Sequence, residues 1–376
     1  MNKKLKIGMT ITGHYTIPPP KDIIYAPMVI AKAIAEGLTK RGHEVYFFAP
    51  KGSKLEVSRI ISGDIKPLHG IRGKKELKIL SGKYVGPVER GKIYFLWDQY
   101  FISLMYKTAI KNNFDILHIH PIDTAIPFGM AFEKIPVVYT LHDPIYPWRA
   151  EVFEIFSSKN QYLVSISDAQ RKPAPKLNYV ATIYNGINLK LFPFSAKSKD
   201  HLLFLGRLLP TKGPDIAIQA AIKAKEKLLI AGTPTSGQYW ETKIKPYLGE
   251  NIKYVGNIPY NKTFKYYGQA KALLCPIQWE EPFGLTFAEA MACGTPVIAF
   301  KRGSVPEVIK HKKTGFVVEP YNKKGEINIE GFVEAIKKID QIKREDCRKW
   351  VEERFSLERM VLEYEKIFLK IVNRHR

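Results

Sequence analysis

The sequence predicts an α/β protein of two doubly wound domains, each with a parallel sheet covered by helices. The first observation is the length of 376 residues, because domains usually hold roughly 100–200 residues. The second is a repeated alternation of short apolar runs with stretches of helical period. The third is a stretch rich in Pro, Ser and Lys near residues 190–200, after which the alternation starts again. We therefore place one domain at residues 1–194 and the other at residues 195–356.

The first domain opens with a strand at residues 5–12, followed by a helix at residues 28–40. Within that helix Ile30, Ile34 and Leu38 recur at helical spacing and form one apolar stripe. Short apolar runs bounded by polar residues or proline predict the other strands, at residues 44–49, 116–119, 137–141 and 162–166.

The second domain repeats this order from residue 201. Strands are predicted at residues 201–205, 227–231, 252–255, 272–276 and 295–300, and helices at residues 214–225 and 285–293. The last amphipathic segment, about residues 357–376, is expected to pack either on this domain or back on the first. Two such domains facing one another would form a ligand cleft at the carboxyl ends of their strands.

Composition limits the classes of ligand and the kinds of protein that this sequence allows. The chain carries 59 Lys and Arg against 36 Asp and Glu, a formal net charge of +23. This excess suits nucleic acid, an anionic membrane or a phosphorylated ligand, and equally a solvated basic surface. Three cysteines are too few for a disulfide framework and lack metal-ligand spacing. No apolar run approaches the roughly 20 residues of a membrane-spanning helix. We expect a cytoplasmic protein.

Much of the basic excess lies in residues 51–92, with eleven Lys and Arg against four acidic residues. No helix-turn-helix or RNA-binding signature accompanies it, so we expect no nucleic-acid partner. Peripheral contact with an anionic membrane, at its inner face, and a merely solvated loop are both left open.

Several nucleotide and catalytic signatures are missing. The first strand is not followed by G-x-G-x-x-G, and no Walker loop or G-x-S-x-G elbow occurs. There is also no D-x-D pair, which disfavours a diphosphate bridged to the protein by a metal. We therefore expect neither a metal ion nor a cofactor.

Two segments of the second domain suit anionic and sugar ligands. The Gly-flanked loop after the strand at 201–205 carries Arg207 and Lys212, a planar fork and a mobile charge that together suit a diphosphate. Further on, a Pro/Gly loop leads into a helix near Leu285, whose free amides form an anion site.

Two carboxylates lie close to the start of that helix, one before it and one within it. Glu281 lies in the loop and Glu289 one turn into the helix, while Gly284 allows a ligand close to the backbone. Carboxylates accept sugar hydroxyls better than they bind phosphate. A retaining glycosidase needs carboxylates facing each other across a bond at about 5–5.5 Å, which neighbouring positions of one loop and helix do not provide.

The seven residues between Glu281 and Glu289 resemble the E-x7-E signature of retaining glycosyltransferases of family 4, also called glycosyl transferases group 1. The resemblance extends over nearly the whole chain. Its segments are Lys40–Val45, Asp115–His120, Asn185–Ile187, Gly206–Leu208, Lys212–Gly213, Val255–Pro259, Glu281–Ile298, Ser304–Ile309 and Thr314–Phe316. The family implies the GT-B fold, two facing Rossmann-like domains with the acceptor on the first and the donor on the second.

The resemblance implies transfer of a hexose from a UDP-, GDP- or ADP-sugar to a hydroxyl of a carbohydrate or lipid-linked acceptor. Arg207 and Lys212 would hold the diphosphate and stabilise it as it leaves. Glu281 would bind the transferred sugar and Glu289 the ribose. Further donor contacts would come from Ile258 at the base and from the amides of Phe283, Gly284, Leu285 and Thr286.

Three histidines follow or end strands of the first domain. His142 matches a histidine that lies near the reacting sugar in this family, so we assign it a catalytic role. His118 and His120 alternate along a predicted strand and would face opposite sides, which excludes joint chelation of one metal. We expect His118 to be a core or supporting residue and leave His120 as a candidate cleft residue.

One segment departs from the family. Many members carry Tyr-Gly-Gly where this chain has Tyr25-Ala26-Pro27, and Ala-Pro lacks the freedom of a glycine pair. We expect Gly13 to provide the close backbone approach instead. The alternatives are a nucleotide-sugar epimerase, a phosphorylase, or a basic lipid-surface protein without transferase activity.

Overall fold

Two separate parallel sheets organise the chain, seen here in a computed structural model that describes residues 3–20, 23, 25–69, 80, 85–234 and 237–375. The chain divides into two compact units. Unit 1 comprises Met1–Ile166, Arg171–Tyr184 and Leu357–Arg376; unit 2 comprises Ser167–Gln170 and Asn185–Ser356.

The sheet of unit 1 has seven parallel strands in the order β3-β2-β1-β4-β5-β6-β7. Its central strands are fully buried, which explains why they read in the sequence as continuous apolar runs. The strands are β1 (Lys6–Thr10), β2 (Glu44–Phe48), β3 (Arg59–Ile61), β4 (Ile116–Ile119), β5 (Val137–Thr140), β6 (Gln161–Ser165) and β7 (Tyr179–Thr182).

The first helix of unit 1 explains the departure at Ala26-Pro27. Helix α1 begins at Ala26, and Pro27 lies in its first turn, where a missing N–H group costs nothing and the fixed φ suits the helix. The helices that connect the strands are α1 (Ala26–Lys40), α2 (Pro87–Lys111), α3 (Ile122–Ala131), α4 (Pro147–Ile155) and α5 (Asp168–Arg171).

Unit 2 has six parallel strands in the order β10-β9-β8-β11-β12-β13. They are β8 (Leu202–Leu205), β9 (Leu228–Ala231), β10 (Ile252–Tyr254), β11 (Leu273–Cys275), β12 (Val297–Phe300) and β13 (Gly315–Val318). The helices are α6 (Pro214–Ala224), α7 (Gly237–Tyr239), α8 (Thr263–Gln269), α9 (Leu285–Ala292), α10 (Val305–Val308), α11 (Ile329–Lys337) and α12 (Arg344–Arg354).

The last helix, α13 (Leu357–His375), belongs to unit 1 and packs on α1. A Cβ atom at Gly37 of α1 would lie 2.4 Å from Val361, so glycine allows the two helices to approach closely. Buried Glu365 accepts hydrogen bonds from Nε of Arg41 (2.7 Å) and Nε2 of His43 (2.9 Å). No helix among the described residues has the length and apolar character needed to cross a membrane.

The direction of winding reverses once in each sheet, between β1 and β4 and between β8 and β11. The carboxyl ends of strands at such a reversal flank a crevice where ligands of doubly wound proteins bind. The loops that follow these four strands carry Gly13, His120, the segment from Arg207 to Lys212, and Glu281. The topology therefore places these candidate residues at the two reversals.

Candidate functional site

Lys212 and Glu281 meet at the reversal point of unit 2. Lys212 ends a short 3-10 turn after β8, and Glu281 lies on the loop after β11. Their Nζ and Oε2 atoms are 2.8 Å apart, with side chains only 22% and 13% exposed. The N–H of Gln278 donates to the carbonyl of Thr211 (2.8 Å) and ties the two loops together. Residues predicted to hold a diphosphate and a sugar are thus direct neighbours.

Trp279 contacts both members of this pair. Its indole N–H donates to Oε2 of Glu281 (3.1 Å), and the Lys212 ammonium lies 4.5 Å from the ring centroid. The ring therefore supports the ammonium through a cation–π contact while the N–H fixes the carboxylate. The sequence prediction assigned Trp279 no role. Its place two residues before Glu281 on the same loop is the signal that could have found it.

Close backbone contact between the two loops requires glycine at position 213. Gly213 has φ of +70°, and a Cβ atom there would lie 2.2 Å from the carbonyl oxygen of Pro276. A side chain would push the Lys212 loop away from the end of β11. The contact between Lys212 and Glu281 thus depends on this glycine.

Glu289 is buried beside two tyrosine hydroxyls, with only 6% of it exposed. The hydroxyl of Tyr260 donates to its Oε1 (3.1 Å) and that of Tyr267 to its Oε2 (2.9 Å). Burial raises the pKa of Glu289 to about 7, although both tyrosine hydrogen bonds act in the opposite direction. The sequence prediction missed both tyrosines, whose seven-residue separation corresponds to two helical turns and was the available signal.

The start of α9 offers free backbone donors beside Glu281. Gly284 precedes the helix with φ of +82°, and no side chain caps it. The amides of Leu285 and Thr286 have no acceptor among the described residues, and both residues are half-buried. Phe283 is buried and packs edge-on against Phe355. This helix end can therefore bind an anion through its amides and its dipole.

Arg207 and Ile258 lie apart from these contacts. Arg207 is exposed, and within the described part of the chain no hydrogen bond or ion pair engages its guanidinium. Ile258 is buried and follows β10, just before Tyr260, one of the two partners of Glu289. Ile258 therefore stands two residues before a partner of Glu289, whereas no hydrogen bond or ion pair within the described ranges ties Arg207 to Glu281.

Gly13 is held in unit 1 by Asp98 of α2. The Gly13 N–H donates to Oδ1 of Asp98 (2.8 Å), which also accepts from the hydroxyl of Thr12 (3.0 Å). Burial raises the pKa of Asp98, and His14 together with these hydrogen bonds counteracts that effect. A Cβ atom at Gly13 would lie 2.4 Å from Phe101, so packing on α2 already requires glycine here. The predicted approach of a ligand to Gly13 stays a prediction.

The expectation that His118 and His120 face opposite sides is wrong. Their ring centroids are 4.5 Å apart, because side chains two positions apart along a strand point to the same face and the expectation misapplied this period. His118 is fully buried, and its Nε2 lies 2.8 Å from Oγ1 of Thr140, as expected of a core residue. Nδ1 of His120 lies 2.7 Å from Nε2 of His142. Even so, no group of three or more His, Cys, Asp or Glu side chains in the described ranges could hold a metal ion.

Comparison with protein families agrees with this architecture. The profile described as Glycosyltransferase Family 4 matches residues 29–191, and the one described as Glycosyl transferases group 1 matches residues 191–354. The chain belongs to the family 4-type glycosyltransferases. This glycosyltransferase is 24% identical to N-acetyl-α-D-glucosaminyl L-malate synthase of Bacillus anthracis over 410 aligned positions, covering 98% of each chain. It is 25% identical to a glycosyltransferase of Methanocaldococcus jannaschii over 362 positions, covering 85% of this chain and 86% of the other.

Solved structures show that the fold of this glycosyltransferase is GT-B. Sucrose-phosphate synthase of Thermosynechococcus elongatus superposes with a TM-score of 0.73 at 18% identity, covering 98% of this chain and 100% of the other. HepE of Anabaena, in complex with UDP and glucose, gives 0.67 at 15% identity, covering 96% and 98%.

Proposed function

We propose that this glycosyltransferase moves a hexose from a nucleoside-diphosphate sugar to an acceptor hydroxyl, with retention of anomeric configuration and without a metal or cofactor. The contact between Lys212 and Glu281 carries the proposal. It sets an ammonium suited to a diphosphate beside a carboxylate suited to sugar hydroxyls, and the free amides of α9 follow directly in the chain. A donor that links a sugar to a diphosphate has matching groups in the same order.

The diphosphate would bind Lys212 and the amides of Leu285 and Thr286, whose helix dipole favours negative charge. The exposed guanidinium of Arg207 would turn onto the same phosphates as a bidentate donor. These groups would stabilise the charge that develops on the leaving diphosphate, which is the main electrostatic contribution to the rate.

The nucleoside would lie at Glu289, whose carboxylate accepts the two ribose hydroxyls, with the base against the backbone of Ile258. Support comes from similar folds solved with nucleotides. HepE was solved with UDP-glucose, and starch synthase IV of Arabidopsis thaliana was solved with ADP and acarbose. We therefore propose a uridine, guanosine or adenosine diphosphate sugar as donor.

Chemistry would proceed on one face of the sugar. The bond from the anomeric carbon to the diphosphate oxygen breaks as the bond to the acceptor oxygen forms, through an oxocarbenium-like state. The acceptor hydroxyl gives its proton to the departing phosphate oxygen. Glu281 would orient the sugar hydroxyls, and His142 would act at the transferred sugar.

A panel of UDP-, GDP- and ADP-sugars, scored for nucleotide release with and without acceptors, tests the proposal. We expect one donor class to be turned over, an unchanged rate in EDTA, and retained configuration in the product by NMR. Lys212→Met and Glu281→Gln should each lower kcat/KM about 100-fold or more with an unchanged circular dichroism spectrum.

The matched control is a second buried ion pair in unit 2. Lys271 and Glu226 are 2.8 Å apart with side chains of similar exposure, but lie outside the two site loops. Lys271→Met should leave kcat/KM within about twofold. Near-normal turnover by Lys212→Met, or an equal loss in Lys271→Met, would contradict the assignment.

We also propose that an anionic membrane contacts the first half of α2, where a lipid-linked acceptor would be met. Val88 and Leu96 are 65% and 62% exposed there, close in sequence to Arg90 and Lys92. Other cations of the predicted basic segment, Arg72, Lys74, Lys75, Lys78 and Lys83, lie outside the described residues. Apolar side chains beside cations suit a lipid surface of negative charge.

Sedimentation with phosphatidylserine-containing vesicles and with purely phosphatidylcholine vesicles tests this contact. Leu96→Glu should weaken binding to the anionic vesicles. Ile110→Glu, at an apolar position near the other end of α2 that is 52% exposed, should not. Equal binding to both vesicle types would remove the proposed membrane contact and leave the transferase proposal intact.

A further inference from the structure

The ring of His142 has a buried imidazole as its hydrogen-bond partner. Nε2 of His142 lies 2.7 Å from Nδ1 of His120, and the two rings stack with centroids 5.0 Å apart and 16° between their planes. Burial lowers the pKa of His142 to about 3 and that of His120 well below its ordinary value. Both rings are therefore neutral, and a hydrogen bond between neutral imidazoles needs one protonated and one unprotonated nitrogen.

The other nitrogen of His120 decides which ring donates. Its Nε2 is buried and has no partner among the described residues. If His142 donated, His120 would carry its own proton on Nε2, as a buried N–H group without an acceptor. If His120 donates from Nδ1, its Nε2 holds only an unused lone pair. Buried N–H groups without an acceptor are the rarer and costlier case.

We infer that His120 is a positioning residue that donates to Nε2 of His142 and so holds His142 in the tautomer protonated on Nδ1. The Nδ1–H group of His142 could then donate a hydrogen bond to a ligand, for example to a sugar hydroxyl oxygen. The ring could accept none, because its one lone pair, on Nε2, already accepts from His120. This inference rests on the proposed function only for the ligand, because the tautomer follows from the two rings themselves.

His118 provides an internal comparison in the same buried cluster. Its Nε2 contacts Oγ1 of Thr140 at 2.8 Å, while its Nδ1 is buried without a partner among the described residues. By the same reasoning His118 is protonated on Nε2. The two histidines are thus expected to show opposite tautomers in one protein.

Nitrogen-15 NMR of the 376-residue chain with labelled histidine rings reads these tautomers directly, and His142→Asn and His118→Gln assign the signals. We expect a protonated Nδ1 and an unprotonated Nε2 for His142, with the reverse for His118. A His142 ring protonated on Nε2 in the unchanged protein would overturn the inference.

Two variants of His120 separate positioning from packing. An Asn side chain places its amide near the position of Nδ1, whereas a Gln side chain places it near that of Nε2. His120→Asn should therefore keep the Nδ1-protonated form of His142, and His120→Gln should lose it, at similar unfolding temperatures. We expect kcat of His120→Gln to fall about 10- to 100-fold below that of His120→Asn, as when a partner that orients a functional histidine is removed.

Turnover of nucleotide sugars and the tautomer seen by NMR test the two proposals independently. If no nucleotide sugar is turned over, the proposed function fails while the NMR result still decides the tautomer. If His142 keeps the same tautomer in His120→Gln, or if kcat is equal in the two variants, His120 does not position His142.

Discussion

The carboxyl group of Glu289 is expected to titrate near neutral pH. Burial raises its pKa from 4.5 to about 7, and at 1.36 kcal/mol per pH unit this difference corresponds to about 3 kcal/mol. Because the pKa of the folded state lies above that of the unfolded state, the folded protein binds more protons between about pH 4.5 and 7. This contribution to stability is therefore lost as the pH rises through that window.

Glu289→Gln removes the titration while keeping the shape of the side chain. Its amide carbonyl can accept from one tyrosine hydroxyl, and its amide N–H can donate to the other, because hydroxyl hydrogens rotate. Between pH 5 and pH 8 the free energy of unfolding of the wild type should fall by about 2.5 kcal/mol relative to that of the variant. Tyr267→Phe should move the titration midpoint of Glu289 further upward, since the hydrogen bond from Tyr267 lowers this pKa.

Two measurements check this expectation. Carbon-13 NMR of protein with labelled glutamate gives the titration midpoint, and the signal missing from Glu289→Gln identifies the residue. Urea unfolding at pH 5 and pH 8, followed by tryptophan fluorescence, gives the change in stability. A midpoint near 4.5, or parallel stability curves for the variant and the wild type, would refute the argument from burial.

Three further predictions concern contacts that hold the fold and the site together. Glu365→Ala should cost about 2 kcal/mol at pH 7. Because the partners of Glu365 outweigh its burial and lower its pKa below the ordinary 4.5, the difference from wild type in thermal unfolding should shrink as the pH falls below that ordinary value. Gly213→Ala should lower the free energy of unfolding by about 2 kcal/mol or more and abolish transfer. Gly206→Ala should be tolerated, because a Cβ atom there would lie 3.9 Å from its nearest neighbours. Equal melting temperatures of the two variants would contradict this. Asp98→Ala should lower the melting temperature by more than Asp98→Asn, which keeps an acceptor for Gly13, and equal losses would show that this hydrogen bond is unimportant.

The predicted strands agree with those of the structure to within two residues at each end. They are buried on both faces, so they appear as continuous apolar runs that sequence reading detects. The long helix α2 was missed, because Val88 and Leu96 lie exposed and its apolar positions do not mark a single face. Strands β3, β7 and β13 were missed, and all three are short edge strands.

The residue types of the candidate site were available from the sequence, and their contacts were not. Glu281 and Glu289 stand out because their spacing along one loop and helix is local. The partners of both carboxylates come from other segments of the chain. Lys212 is 69 residues from Glu281, and Tyr260 is 29 residues from Glu289.

By itself the sequence determined the two-domain α/β class, the family and the charged residues of the candidate site, because strand burial and loop motifs depend on neighbouring residues. Tertiary structure alone decided that α13 joins unit 1, that Trp279 supports Lys212, and that His120 contacts His142. The first depends on the packing of α13 against α1, and the other two depend on where separate strands end in space. The physical reason is that a parallel sheet brings distant loops together at one edge, where pairing and burial set the charge and tautomer of each group.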